Sequence, residues 1–288
     1  MIAVVLALLA AASNAVASVL QRRAARSVPV RPGFRRALIL TLVRRPVWLG
    51  GIAALIGGFL FQAAALSAGG LVLVQPVLVS ELPFTMVLLS FVFHVKLGRR
   101  SWLAVAAMSA GLAVFLAGAA PGPGRHVPSS AEWVMAAIAT IGTVIGLVIV
   151  GQALTGAARA AALGVATGVG FAFTATFIKR STTILREDPA ALATSWELYA
   201  MVAMGLFSLF LLQNALQSGS LVAAQPALTI SDPVASILYG TTMFGEHVRT
   251  GPWVLPEATG IGLIIYGSFL LAQSPALRTR VEGQQERT

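Results

Sequence analysis

The chain has 288 residues, of which 57% are hydrophobic and 10% charged, with a mean hydropathy of +0.84. Soluble chains carry about 25% charged residues, and the apolar runs here reach about 18–24 residues, enough to cross ~30 Å of hydrocarbon at ~1.5 Å per residue; the sequence reads as an all-helical, polytopic membrane protein whose first partner is the lipid bilayer. The net charge of +10 would point to nucleic acid in a soluble protein, but basic residues in membrane loops set topology and meet anionic head groups, so no nucleic-acid partner is inferred, and the absence of cysteine excludes disulfides and thiolate metal sites.

Nine spans are predicted. The first, 2–20, starts like a signal peptide but has no basic residue before its apolar run, so it reads as a retained helix. A loop over 21–45 holds eight arginines. Spans at 48–67 and 71–93 follow, the latter carrying Gln75, Pro76, Glu81 and Pro83. A basic turn with Lys96, Arg99 and Arg100 leads to the fourth span, 102–119, which ends at the turn-rich PGPGRHVPSS. The fifth, 133–151, contains Gly142-x-x-x-Gly146, a close-packing pattern. Spans at 157–178, 194–216, 221–243 and 253–272 complete the set, and 274–288 is a polar tail expected to be disordered.

Nine spans put the termini on opposite sides. With the arginine-rich loop in the cytoplasm, fifteen Lys/Arg lie inside and five outside, so the expected orientation in the cytoplasmic membrane is N-terminus out and C-terminus in. Lys179, Arg180 and Arg186 are the outside exceptions.

The stretch containing LVLVQPVLVSELP in the third span returns 150 positions later as LVAAQPALTISDP in the eighth. Over 61–99 and 211–249, eleven of 39 positions coincide, among them Gln75/Gln225, Pro76/Pro226 and Pro83/Pro233. Likewise VLQRRA after the first span echoes FIKRST after the sixth. The expected domain is therefore a single membrane unit over 1–273: repeat one 1–119, a linker helix 131–151, and repeat two 157–273. Five spans separate the two starts, so the second four-helix repeat enters the bilayer upside down. That inverted arrangement lets one fold open to either side of a midplane site.

These residues resemble the drug/metabolite transporter (DMT, EamA-like) superfamily. The resemblance rests on the nine spans, the basic loop after the first, and FQAAALSAGGLVLVQPVL leading into the third. Within it, Ala63–Leu66 with Leu71–Pro76, and Ala215–Leu216 with Leu221–Pro226, look like the NIPA-type branch, described as magnesium transporters. Phe244-Gly245-Glu246 resembles a Gly-Glu turn that superfamily members carry after this span; the first half has Lys96-Leu97-Gly98 there instead. The resemblance implies an alternating-access carrier, and through the NIPA branch it implies Mg²⁺ as cargo.

Of ten carboxylates, Glu81 and Asp232 alone are placed deep, about 11 residues or ~16 Å into their spans. A bare carboxylate there must face the interior, be protonated or be paired, and no Lys or Arg lies at that depth. One reading is a proton-coupling or substrate site. The other is a carboxyl that only hydrogen-bonds and bends a neighbouring helix. Pro76, Pro83, Pro226 and Pro233 each free a carbonyl one turn back, which makes them candidate helix-break or hinge positions or simple kinks. Gln75, Gln225, Gln62, Gln213 and Asn214 are buried-amide candidates for the same site, with Asn14, Thr174 and Thr176 behind them. Mg²⁺ keeps its waters and takes one or two carboxylates, so Glu81 and Asp232 are also the candidate metal pair; a small organic solute would use them for protons or an amine. Trp48, Trp102, Trp133, Trp196 and Trp253 lie near span ends, as an interfacial belt does, while Tyr239 and Tyr266 are deeper. His94, His126 and His247 lack metal-ligand spacing. There is no phosphate-binding loop and no nucleophile motif, so neither ATP drive nor enzyme chemistry is expected, and no bound cofactor beyond a transported or coupling ion (Mg²⁺ or H⁺). A homodimer stays open, as does a membrane scaffold or lipid-handling subunit with no solute path.

Overall fold

In hydrocarbon every backbone N–H and C=O must find its partner within the chain, and a helix supplies one per residue. The computed structural model, which describes residues 1–26, 45–93, 97–122, 124, 126–218, 221–249 and 251–273, is accordingly all-helical. Its helices are α1 (Ile2–Arg26), α2 (Pro46–Ala68), α3 (Leu71–Leu78), α4 (Glu81–Phe93), α5 (Arg99–Ala119), α6 (Ser130–Ala153), α7 (Gly156–Glu187), α8 (Pro189–Leu192), α9 (Trp196–Gln217), α10 (Leu221–Met243) and α11 (Val254–Ala272), the last entered through a 3₁₀ turn at Gly251–Trp253. Among the described residues, eight segments are long and apolar enough to cross a membrane: α1, α2, α3 with α4, α5, α6, α7, α9, and the 3₁₀ turn with α11. The chain is an all-α, multi-pass membrane protein. Helix α10, 23 residues long with Pro226 and Pro233 inside it, is not one of these eight but packs against α7 and α11.

Local chemistry sets several boundaries. Pro46 opens α2, where the missing N–H costs nothing. Ser129 and Glu132 close a capping box on α6. The left-handed Ala120 ends α5, followed by Pro121. Two helices overrun the lengths expected from hydropathy: the first span continues to Arg26 and the sixth to Glu187. Lys179, Arg180 and Arg186, expected in a loop, are therefore helical. The basic loop over 27–44, His94, Lys96 and the tail 274–288 fall outside the described residues.

Helix α7 is the axis. Of its most apolar window 72% is buried, against 17–39% for the other seven spans. It packs on α10, α9, α6, α2 and α3. Without a hydrophobic drive between helices in lipid, such seams rely on small residues that let backbones approach. A methyl group on Gly164 would sit 2.6 Å from the Ala224 carbonyl oxygen of α10, and one on Gly168 would sit 2.9 Å from the Asp232 amide nitrogen. The α5–α11 seam is as close, and reciprocal: a methyl on either Gly111 or Gly260 would lie 2.6 Å from the other's carbonyl oxygen. Gly142 and Gly146 are exposed and have nothing within 4 Å of a would-be side chain, so this pattern builds no seam within the chain.

The third span differs from its expected single rod. Helix α3 packs on α1, α10 and α7, whereas α4 packs on α1 and α5.

Candidate functional site

Pro83 has no N–H to give the Val79 carbonyl one turn back. That carbonyl accepts from Leu82 N instead, at 3.2 Å, while Val79 N and Ser80 N donate to Pro76 O and Val77 O at 3.2 and 3.0 Å. These i to i−3 bonds tighten the chain, and the helix is interrupted at Val79–Ser80. The Ser80 hydroxyl also donates to Val77 O at 2.7 Å. The half-buried Glu81 thus falls in the first turn of α4, where the helix N-terminus favours a negative group. A crevice beside the break is walled by Val79, Ser80 and Pro83 and by Met108, Ser109 and Leu112 of α5.

Asp232 occupies a different setting. It lies mid-way along the uninterrupted α10, its backbone against Gly168 of α7. Its carboxylate accepts from the Ser236 hydroxyl of its own helix at 3.3 Å. A second crevice, lined by apolar side chains, lies between Pro76 of α3, Phe115 of α5, Thr229 and Pro233 of α10, and Ile261 and Ile264 of α11. Prolines from both halves thus meet at one cleft, but neither crevice is lined by Glu81 or Asp232. Among the described residues no group of three or more His, Asp or Glu side chains is placed to hold a metal ion.

The amides scatter. Gln75 is buried on α3; Gln225 is half-buried, its carbonyl accepting from Thr229 at 2.8 Å. Gln62 is half-buried on α2. Asn214 donates to Phe210 O of its own helix at 2.8 Å. Gln213, expected to be a buried amide, is exposed, because the buried face of α9 runs through Ser208, Leu211 and Ala215. Asn14 lies against Gly58 across the α1–α2 seam. The Thr174 and Thr176 hydroxyls bond to carbonyls of α7 itself. Pro226 is buried within α10.

Trp102, Trp196 and Trp253 are exposed, as an interfacial belt requires. Trp133 is not: it is buried, stacked on Phe177 at 4.9 Å and edge-on to Trp196 at 5.3 Å. Tyr239 joins α10 to α6 through a 2.6 Å hydrogen bond with Thr140, and Tyr266 is exposed. His126 pairs with Glu132 at 2.9 Å, and His247 is exposed.

The most enclosed ion pair among the described residues lies elsewhere. Glu246, just after α10, and Lys179 on α7 are both buried and form an ion pair. The other side of the pair is the start of α3: Leu71 N and Val72 N donate to the Glu246 carboxylate at 2.9 and 2.8 Å. Helix N-termini leave such N–H groups without intrahelical partners, and here Gly70 precedes them with no side-chain cap of its own. The Lys179 ammonium also lies 4.3 Å from the centre of the Phe244 ring. Glu246 N bonds to Gly240 O at 2.9 Å. Nearby, Arg186 Nη1 donates to both the carbonyl and the hydroxyl of Ser67, each at 3.0 Å. Sequence reasoning placed these groups in loops because both follow apolar runs. The available signal was Phe244-Gly245-Glu246 after a span and a lysine one residue past the apolar run of α7.

An uncharacterized protein of Corynebacterium glutamicum is 26% identical over 268 residues, covering 92% of this chain and 92% of its own. No family model matches the chain, and no solved structure matches it. The chain is thus similar along nearly its whole length to a protein that is itself uncharacterized.

Proposed function

We propose that the chain is a secondary transporter of the drug/metabolite transporter type, in which α10 also crosses the membrane, as the eighth of nine spans, and two inverted four-helix repeats flank the linker α6. The observation that carries this reading is the third span: interrupted between Pro76 and Pro83, with a carboxylate at the break and crevices beside it. Interrupted helices at repeat interfaces are how such carriers build midplane sites. The repeat is supported by packing. Gly58 on α2 meets Asn14 on α1, and Ser208 on α9, 150 positions after Gly58, meets Gly170 on α7. The polar and the small partner have changed helices, but the seam is in the equivalent place.

The two ends of the bundle differ in a way suited to alternating access. At the Glu246 end α3 is tied to α7 and α10; beyond the break, α4 packs within its own repeat on α1 and α5. The cargo best suited to the apolar crevice walls is a small organic solute coupled to protons, with Glu81 and Asp232 as the coupling carboxylates. The NIPA-type resemblance makes Mg²⁺ the competing cargo. In the proposed orientation the N-terminus is outside and the C-terminus cytoplasmic.

Reconstitution in liposomes tests this, with a pH dye in one batch and a Mg²⁺-sensitive dye in another. Proton movement that depends on an added organic solute, lowered about tenfold or more by Glu81→Gln or Asp232→Asn, is the expected result, since one lost interaction worth 1.4 kcal/mol gives that factor. Mg²⁺ entry abolished by both substitutions would replace the organic cargo with the metal. Folded protein that moves neither, across a solute panel, would sink the transport reading in favour of a scaffold.

A further inference from the structure

Glu246 is held by both proposed repeats at once. Its carboxylate takes the first two N–H groups of α3 from repeat one and the Lys179 ammonium from repeat two. Space for it is made by two glycines, one from each repeat: a side chain on Gly70 would overlap the carboxylate, and one on Gly240 would sit 2.8 Å from Glu246 Oε2 and 2.8 Å from the Val72 side chain. At the same end Arg186 of α7 ties to Ser67 at the end of α2, a second polar bridge across the same boundary. The position 150 residues before Glu246 is Lys96, so repeat symmetry supplies no carboxylate at the other end.

We propose that Glu246, Lys179 and the α3 N-terminus form a latch that closes this end of the bundle, and that the end opens only when the Glu246 carboxylate leaves either the ammonium or the α3 amides. The inference rests on the transporter reading for its role, but the closure itself is a separate property. A buried ion pair suits this task. Closed, the charges satisfy each other out of water; parted, each must be rehydrated, so opening is coupled to water entry at this end. An apolar seam would carry no such requirement.

The chain has no cysteine, so each reporter is the single thiol; Ser67→Cys removes the hydroxyl that takes one of the two Arg186 contacts, so every rate is compared with the parent carrying the same reporter. Ser67→Cys reports the latched end and Ser90→Cys, on α4, the far end; both are read as the rate of modification by a membrane-impermeant maleimide in the reconstituted full chain. Glu246→Gln and Lys179→Gln are the main variants, because they keep side-chain volume and hydrogen-bonding capacity if Glu246→Ala fails to fold. The expected result is labelling at Ser67→Cys about tenfold faster in both, the population change that ~1.4 kcal/mol produces, with slower labelling at Ser90→Cys. Where Glu246→Ala folds, sodium acetate, a free carboxylate that fits the vacated cradle, slows Ser67→Cys labelling again. Labelling at Ser67→Cys that stays within about twofold of the parent in both Gln variants overturns the latch. Faster labelling at Ser67→Cys with no change at Ser90→Cys upholds the latch and overturns alternating access, so the two readings fail separately.

Discussion

The third span and α10 carry the same signature, a Gln-Pro followed seven residues on by a second proline, yet the first is broken in two and the second is continuous. Both prolines of each pair remove a backbone donor, so the local weakness is shared. What differs is how the helix is held. Helix α10 is clamped along its length by α7, where Gly164 and Gly168 bring backbone against backbone at Ala224, Leu228 and Asp232. The third span is held at its start, where Glu246 caps Leu71 and Val72, and beyond Val79–Ser80 it stays on α1 and α5 while parting from α7 and α10. A pair of prolines thus marks where a membrane helix can break, and the neighbouring helix determines whether it does.

Four experiments bear on this contrast. The largest effect is expected from loosening the tie at the start of α3. Lys179→Met leaves a buried carboxylate without its cation and should cost about 3 kcal/mol or more of stability, as broken buried pairs do, seen as a lower melting temperature in detergent; replacing Glu246 by Met as well should recover part of that loss. Next comes the clamp on α10. Gly168→Val forces a side chain against Asp232 N and Leu228 O and should cost about 1–3 kcal/mol; a melt indistinguishable from the parent would show that α10 is not held by this seam. A smaller effect separates the prolines themselves. Pro83→Ala returns an N–H to the Val79 carbonyl and should change stability by less than about 1 kcal/mol while slowing the proposed transport, whereas Pro233→Ala, in an already continuous helix, should leave that transport near the parent's. Equal slowing by both would mean that the break at Val79–Ser80 has no special part in the cycle. The smallest effect is predicted for Gly142→Leu, on a face with no neighbour within 4 Å: within about 0.5 kcal/mol in the monomer, with any larger shift in detergent-solubilised protein reporting a partner copy on that face.

The helix break was readable as composition and position. Glu81 and Asp232 were evident as deep carboxylates, and the break beside Glu81 falls between two prolines that the pattern marked. The buried pair Lys179–Glu246 was not readable, for a physical reason. Hydropathy treats a charge at the end of an apolar run as the start of a loop, but α7 continues nine residues past Ile178, and Lys179 and Ser181 at the start of that extension are buried against neighbouring helices. Gln213 fails in the opposite direction: depth along a span says nothing about which side of the helix a residue takes.

By itself the sequence determined that the chain is helical and membrane-embedded, where most of its spans begin and end, and that one proline-rich stretch occurs twice. Those follow from local and compositional physics: the cost of bare backbone in lipid, the length that crosses it, and the donors that proline lacks. Tertiary structure decided which of the two copies breaks, which glycines form seams, and which charges are buried. Each of those depends on what a neighbouring helix, distant in sequence, brings within a few ångströms: Glu246 and the amide of Leu71 are 175 positions apart, and only the packing of α3 against the end of α10 makes them partners.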